Sequence, residues 1–259
     1  MMTDMLGSIV LITGAGSGIG REIAKKFVDA GSKTIIIGRR SDQLEGTKQI
    51  CDPKKKNNVF IKQCDITKEE DLDDLVTFIK NEFGKVDVLV NNAGASSAVR
   101  TISHVTEEMW DNVFDLNIKA VYQISQKLIP LMLENKSGTI ITISSMAALN
   151  PGLLGGAPYG AAKAGVTNLM GHINSELNSQ GIRATAIMPA EVDTPILKNR
   201  AIPPNQDARN TMMKPEDLAD TVFLCASLPQ RTVIEQIVMS PINKRDVAKD
   251  LEAAKNRTK

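Results

Sequence analysis

The stretch SIVLITGAGSGIG, residues 8–20, decides the fold. Its first half, residues 8–12, is a short apolar run. Its second half, Thr13 to Gly20, is a glycine-rich turn that leads into a helical pattern. Ile19, Ile23, Phe27 and Ala30 recur on one helical face, and Gly31 stops the segment. Strand, glycine turn and helix in that order form a receptor for a dinucleotide pyrophosphate. Glycines let the backbone turn tightly and approach phosphate oxygens, while the helix N-terminus offers free N–H groups and the positive end of a dipole. Gly14, Ser17, Gly18, Ile19 and Gly20 are the candidate contacts here.

Working outward, the alternation continues. Further strands are expected at 34–37, 59–61, 86–90, 139–143, 184–188 and 233–239. Helices are expected at 69–83, about 106–133, 159–178 and 215–227, the last with a proline at its entry. Runs such as TIII at 34–37 are apolar on both faces, as a parallel sheet covered by helices requires. The expected fold is α/β: a Rossmann-type, doubly wound, seven-stranded parallel sheet. No internal repeat or long linker divides it, so a single domain is expected over 1–242. Residues 243–259 hold six basic and three acidic side chains and read as a charged, solvated helical tail.

Composition sets the outer limits. The chain has 259 residues, 42% of them apolar and 24% charged, which are ordinary globular values. Lys plus Arg total 31 against 30 for Asp plus Glu, so charge gives no reason to expect nucleic acid or an anionic membrane as partner. No run approaches the ~20 apolar residues of a membrane span. Three cysteines without a CxxC pair and two distant histidines make no readable metal site, and buried thiols in a reducing cytoplasm are expected.

The end of the second strand speaks to the cofactor. NAD-binding sheets place a carboxylate there for the ribose 2′-hydroxyl, whereas this one ends Ile37-Gly38-Arg39-Arg40. Arginine grips a 2′-phosphate through charge-assisted hydrogen bonds, so NADP(H) is the expected cofactor, with Arg39 and Arg40 its candidate contacts.

Tyr159-Gly160-Ala161-Ala162-Lys163 carries the chemistry. Positions i and i+4 share a helical face, so the phenol and the ammonium stand side by side. A phenol titrates near 10, and a neighbouring lysine stabilises phenolate and brings that value down. Such a tyrosine passes a proton to a carbonyl oxygen or takes it back.

With these residues in view, the chain resembles the short-chain dehydrogenase/reductase family from about residue 7 to 240. Several motifs occur in the family's order: TGAGSGIG at 13–20, CDIT at 64–67, NNAG at 91–94, a lone Asn117, ISS at 143–145, YGAAK at 159–163 and a proline-containing segment at 189–194. The resemblance implies roles. Asp65, with Ile66 beside it, would border the adenine; Asn91, Ala93 and Gly94 would form the turn against the cofactor. Asn117 would hold a water that links the lysine to solvent. Tyr159 would be the acid/base, Lys163 would bind the nicotinamide ribose, and a serine would hydrogen-bond the substrate carbonyl. Pro189, Val192 and Thr194 would meet the nicotinamide end. Ser145 is the chosen serine and Ser144 the fallback, since the loop to Tyr159 is one residue longer than the family commonly has. Pro189-Ala190 replaces the usual Pro-Gly.

These features imply an oxidoreductase that moves hydride between NADP(H) and a small carbonyl or alcohol, without metal. A 3-oxoacyl, 3-hydroxy acid or semialdehyde substrate is the expectation, and a homodimer or homotetramer paired through the two long helices. A non-catalytic NADP-binding regulator on the same fold is the alternative, and the Asn117, Ser145, Tyr159, Lys163 set argues against it. A methyl-transfer enzyme would not call for the YxxxK helix. The segment between Thr194 and Pro215 should cover the substrate with Ile196, Leu197, Ile202, Met212 and Met213, a partly apolar lid.

Overall fold

The computed structural model describes residues 2–258, so Met1 and Lys259, the last basic residue of the expected tail, lie outside it. The chain alternates strand and helix. The first half runs β1 (Ile9–Thr13), α1 (Gly18–Asp29), β2 (Lys33–Gly38), α2 (Ser41–Ile50), β3 (Val59–Gln63), α3 (Glu69–Phe83), β4 (Val88–Asn91), α4 (Glu107–Phe114) and α5 (Ala120–Glu134). The second half runs β5 (Gly138–Ile143), α6 (Ala157–Leu177), β6 (Ile182–Pro189), α7 (Gln206–Asn210), α8 (Pro215–Ser227), β7 (Gln236–Met239) and α9 (Ala248–Asn256). All seven strands are parallel, in the order β3-β2-β1-β4-β5-β6-β7. This is the single-domain, doubly wound sheet expected from the motifs.

The two-residue period of each strand divides the core. Leu11, Ile35 and Leu89 face a layer made by α3, α5 and α6, with Leu75, Ile124 and Met170 against them. Val10, Ile12, Ile36 and Val90 face the other way, onto Ile23 and Phe27 of α1 and Val222 of α8. Rings of Phe27 and Phe223 meet at 5.3 Å, tying α1 to α8. Both strand faces are therefore dry, which is why these strands read as continuous apolar runs. Among the described residues no helix is long and apolar enough to cross a membrane. All three cysteines are free and buried, and burial pushes Cys51 and Cys225 up to about 11 and Cys64 to about 12.

Three expectations need correction. The helix expected at 106–133 is broken by a π turn at Asp115–Lys119. There the Asn117 side-chain amide donates to the Val113 carbonyl at 2.8 Å, competing for the acceptor a regular helix would use, and Ala120 N–H reaches back to Asp115 instead. The last strand begins at Gln236 rather than 233, because the preceding loop turns its Pro229 and Thr232 carbonyls toward Arg183. The C-terminal segment is helical at α9 but is not a solvated tail. Arg245 donates to Glu191 and to Asp250, at 2.8–3.0 Å in its shortest contacts, which docks the segment beside the sheet's C-terminal edge.

Candidate active site

β1 and β4 are neighbours, yet their connections leave in opposite directions, so a crevice opens beyond their C-terminal ends. A cavity of about 380 Å³ occupies it. One end is the turn after β1. Gly14 and Gly18 have φ of +63° and +53°, and a Cβ on Gly14 would stand 2.9 Å from the Ala93 Cα. The first turn of α1 carries no acidic residue and no side-chain cap, so its N–H groups face the cavity with Ser17, Gly18 and Ile19. Arg39 and Arg40, both exposed, stand at the rim with Asp65 and Ile66 on the adjacent wall. The Asp65 carboxylate already accepts from Thr67 N–H and hydroxyl in a local turn.

Two expected contacts point elsewhere. Asn91 is 2% exposed, and its amide points into the helix layer, 3.4 Å from the hydroxyls of Ser125 and Thr142. Its neighbour Asn92 lines the cavity instead, because side chains alternate along the extended chain. Asn92 donates from its side chain to the carbonyls of Thr13 and Gly14, while its backbone N–H and that of Ala93 both donate to the Thr13 hydroxyl. This rivets the ends of β1 and β4 together. Gly20 is also absent from the cavity wall: a Cβ there would meet the Asn92 amide at 2.4 Å and the Gly14 carbonyl at 2.5 Å, so it serves close packing of helix on strand.

The other end holds the reactive groups. Tyr159 and Lys163 lie in the first two turns of α6, with Pro158 at its entry, and both line the cavity with Ser145. Lys163 is 3% exposed and donates to the Ile143 carbonyl at 2.8 Å, while its ammonium lies 5.6 Å from the Tyr159 ring centre. Burial brings Lys163 down to about 8. The spacing led us to expect a lowered phenol. Instead burial raises Tyr159, against the opposing pull of the Ser145 hydroxyl and the Arg100 charge. The residue is only partly covered, but its phenolic end sits deep enough for desolvation to win.

The two candidate serines both line the cavity, and their hydroxyls point in different directions. The Ser144 hydroxyl turns inward to the Lys163 carbonyl and the Thr167 hydroxyl, at 3.0 and 2.7 Å. Ser145 faces Tyr159 and accepts from Ala147 N–H. Asn117 is fully buried. Its amide group is held by the Ala95 and Val113 carbonyls, its Oδ1 has no partner, and that oxygen and the Lys163 Nζ both lie within 3.3 Å of where a Gly94 Cβ would be. The unpartnered oxygen suits a bridging water. Pro189, Val192 and Thr194 close the cavity from the β6 side with Ile196 and Leu197. Of the expected lid, Ile202 is exposed, whereas Met212 and Met213 are buried beneath it; Met213 bridges Val192 and joins the core.

Sequence reasoning passed over Glu191, Arg200 and Arg100, which all line this cavity. Glu191 accepts from Arg200 and Arg245; burial alone would raise it, yet those hydrogen bonds hold it below the usual carboxylate range. Arg100, on the loop after β4, enters the same wall.

Residues 8–204 match the family model for short chain dehydrogenase. An uncharacterized oxidoreductase of Staphylococcus aureus is 30% identical over 93% of this chain and 100% of its own length. A metagenomic short-chain oxidoreductase solved in complex with NADP superposes with a TM-score of 0.78 at 26% identity, over 93% of this chain and 100% of that one. Serine dehydrogenase from Escherichia coli gives 0.77 at 28% identity, over 89% and 96%.

Proposed function

The chain belongs to the short-chain dehydrogenase/reductase family, and from that membership we propose that it is an NADP(H)-dependent reductase of small carbonyl compounds, acting in reverse as an alcohol dehydrogenase. One juxtaposition carries the reading: Tyr159, Lys163 and Ser145 converge at one end of a cavity whose other end is a glycine turn with two arginines at its rim. The residues fit a phosphorylated dinucleotide, since the α1 N-terminus is uncapped and Arg39 and Arg40 supply charge where a 2′-phosphate would be held. When bound, NADPH supplies the hydride that adds to the carbonyl carbon. Ser145 orients the carbonyl oxygen and Tyr159 delivers the proton to it as the C–O π pair becomes an alkoxide. Lys163 holds the ribose hydroxyls, and Asn117 keeps the water through which the proton is replaced.

The solved relative bound to NADP supports the cofactor choice. Arg39→Ala is expected to raise the NADPH KM roughly tenfold, the lower end of a charge-assisted hydrogen bond because the site is exposed, with NADH use little changed. Steady-state kinetics with both cofactors checks this, and an equal loss with both would remove the 2′-phosphate role.

The pH profile has a sign. Reduction needs Tyr159 protonated and Lys163 charged. The raised phenol stays protonated through neutrality, whereas Lys163 loses its charge above about 8. The kcat/KM for carbonyl reduction should be flat near neutrality and fall above about pH 8. A rate rising through that pH would contradict the assignment.

A further inference from the structure

Arg100 is 6% exposed, and its guanidinium has one hydrogen bond, to the Leu154 carbonyl. Its Nε has no partner. Three other arginines held in the protein have either a carboxylate partner or a full set of acceptors. Arg183 donates to four backbone carbonyls and the Thr139 hydroxyl; Arg200 pairs with Glu191; Arg245 bridges Glu191 and Asp250. Among the described residues no carboxylate forms an ion pair with Arg100. A buried cation without a counter-charge is costly, and proteins keep one where something else supplies the charge.

Its position indicates what that is. Arg100 lines the cavity at the Tyr159 end, away from the phosphate turn. Its carbonyl accepts from Ala157 N–H at 3.0 Å, and a Cβ on Gly156 would stand 2.9 Å from its stem, so it is fixed against the entry of α6, three residues before the phenol. Glu191, the acidic side chain on the same wall, is already taken by Arg200 and Arg245. We propose that Arg100 anchors a carboxylate on the substrate, which makes the substrate class oxo acids and the corresponding hydroxy acids. The planar guanidinium matches a carboxylate edge to edge. Burial and the nearby Arg200 and Arg257 bring the Arg100 side chain down to about 10, so an anion there is attracted by an under-compensated charge. The proposal rests on the reductase reading and narrows it.

The test compares NADPH-dependent reduction of pyruvate, acetoacetate and levulinate with that of their methyl esters, in wild type, Arg100→Met and Arg100→Lys. For at least one pair the wild type should favour the acid in kcat/KM. Arg100→Met should lower that acid-to-ester ratio about 10- to 100-fold, the range for a hydrogen bond to a charged group, and Arg100→Lys should restore part of it. The ratio cancels any general loss from impaired folding. An ester preference in every pair, or an unchanged ratio in Arg100→Met, overturns the anchor. Calorimetric titration of the three acids into protein saturated with NADP⁺, which cannot reduce them, separates the two ideas. Binding to wild type but not to Arg100→Met, without NADPH oxidation by any of the six compounds, would leave the anchor standing and remove the reductase reading. Absence of binding to wild type overturns the anchor.

Discussion

Tyr159→Phe should lower kcat for NADPH-dependent carbonyl reduction by about 100- to 10,000-fold, the range for loss of a positioned general acid, while NADPH still binds. The phenol oxygen is the proton-bearing atom that Ser145 faces, and phenylalanine fills the same volume without it. Lys163 stays in place in the variant, because its own hydrogen bond runs to the Ile143 carbonyl and not to the tyrosine. Absorbance at 340 nm reads turnover and NADPH fluorescence reads binding. Undiminished NADPH oxidation would end the assignment of Tyr159 as the acid. Equal loss of binding and turnover would mean that the hydroxyl serves cofactor binding rather than proton delivery.

Arg183→Met should cost about 3–5 kcal/mol of stability, from burying unpaired carbonyls at about 1–3 kcal/mol each. For a domain of this size that is roughly a 10 °C drop in Tm. Arg183 sits on β6, 5% exposed. It donates to the carbonyls of Ala226 and Leu228 at the end of α8, to those of Pro229 and Thr232 in the following loop, and to the Thr139 hydroxyl on β5. A cation there also opposes the negative end of the α8 dipole. Methionine keeps the stem's apolar volume and strands the acceptors. Arg183→Lys should recover only part, since one ammonium cannot reach five acceptors. Thermal unfolding followed by circular dichroism checks this; a fall below about 1 kcal/mol would mean that water replaces the guanidinium.

What the sequence made legible followed from local physics. The strands were readable because both faces of a parallel sheet are dry, and α1, α3 and α8 because their apolar residues keep a helical period. By contrast α2, SDQLEGTKQI, buries only Leu44 and Thr47, and its polar composition gave no period to read. The site motifs were legible where one residue type at one spacing has one use, as with Tyr159 and Lys163. They were misread where direction mattered. The doublet at 91–92 places one asparagine inside the helix layer and the other at the cavity, and composition is silent on which. The C-terminal segment was misread because its partners are far away in sequence. Arg245 looks like surface charge until Glu191 appears beside it, and Arg183 falls just outside the strand expected at 184–188, its partners unseen until the end of α8 arrives over it.

The strand order has a consequence for how the chain is made. β1 lies inside the sheet; β2 and β3 extend it to one edge, then β4, β5, β6 and β7 extend it to the other. Every strand after the first therefore docks on a neighbour that has already left the ribosome, so the order of synthesis is also an order of assembly. The exceptions are charges. Glu191 is translated 54 residues ahead of Arg245, which completes its pairing, so the wall of the cavity around Glu191 is among the last parts of the molecule to settle.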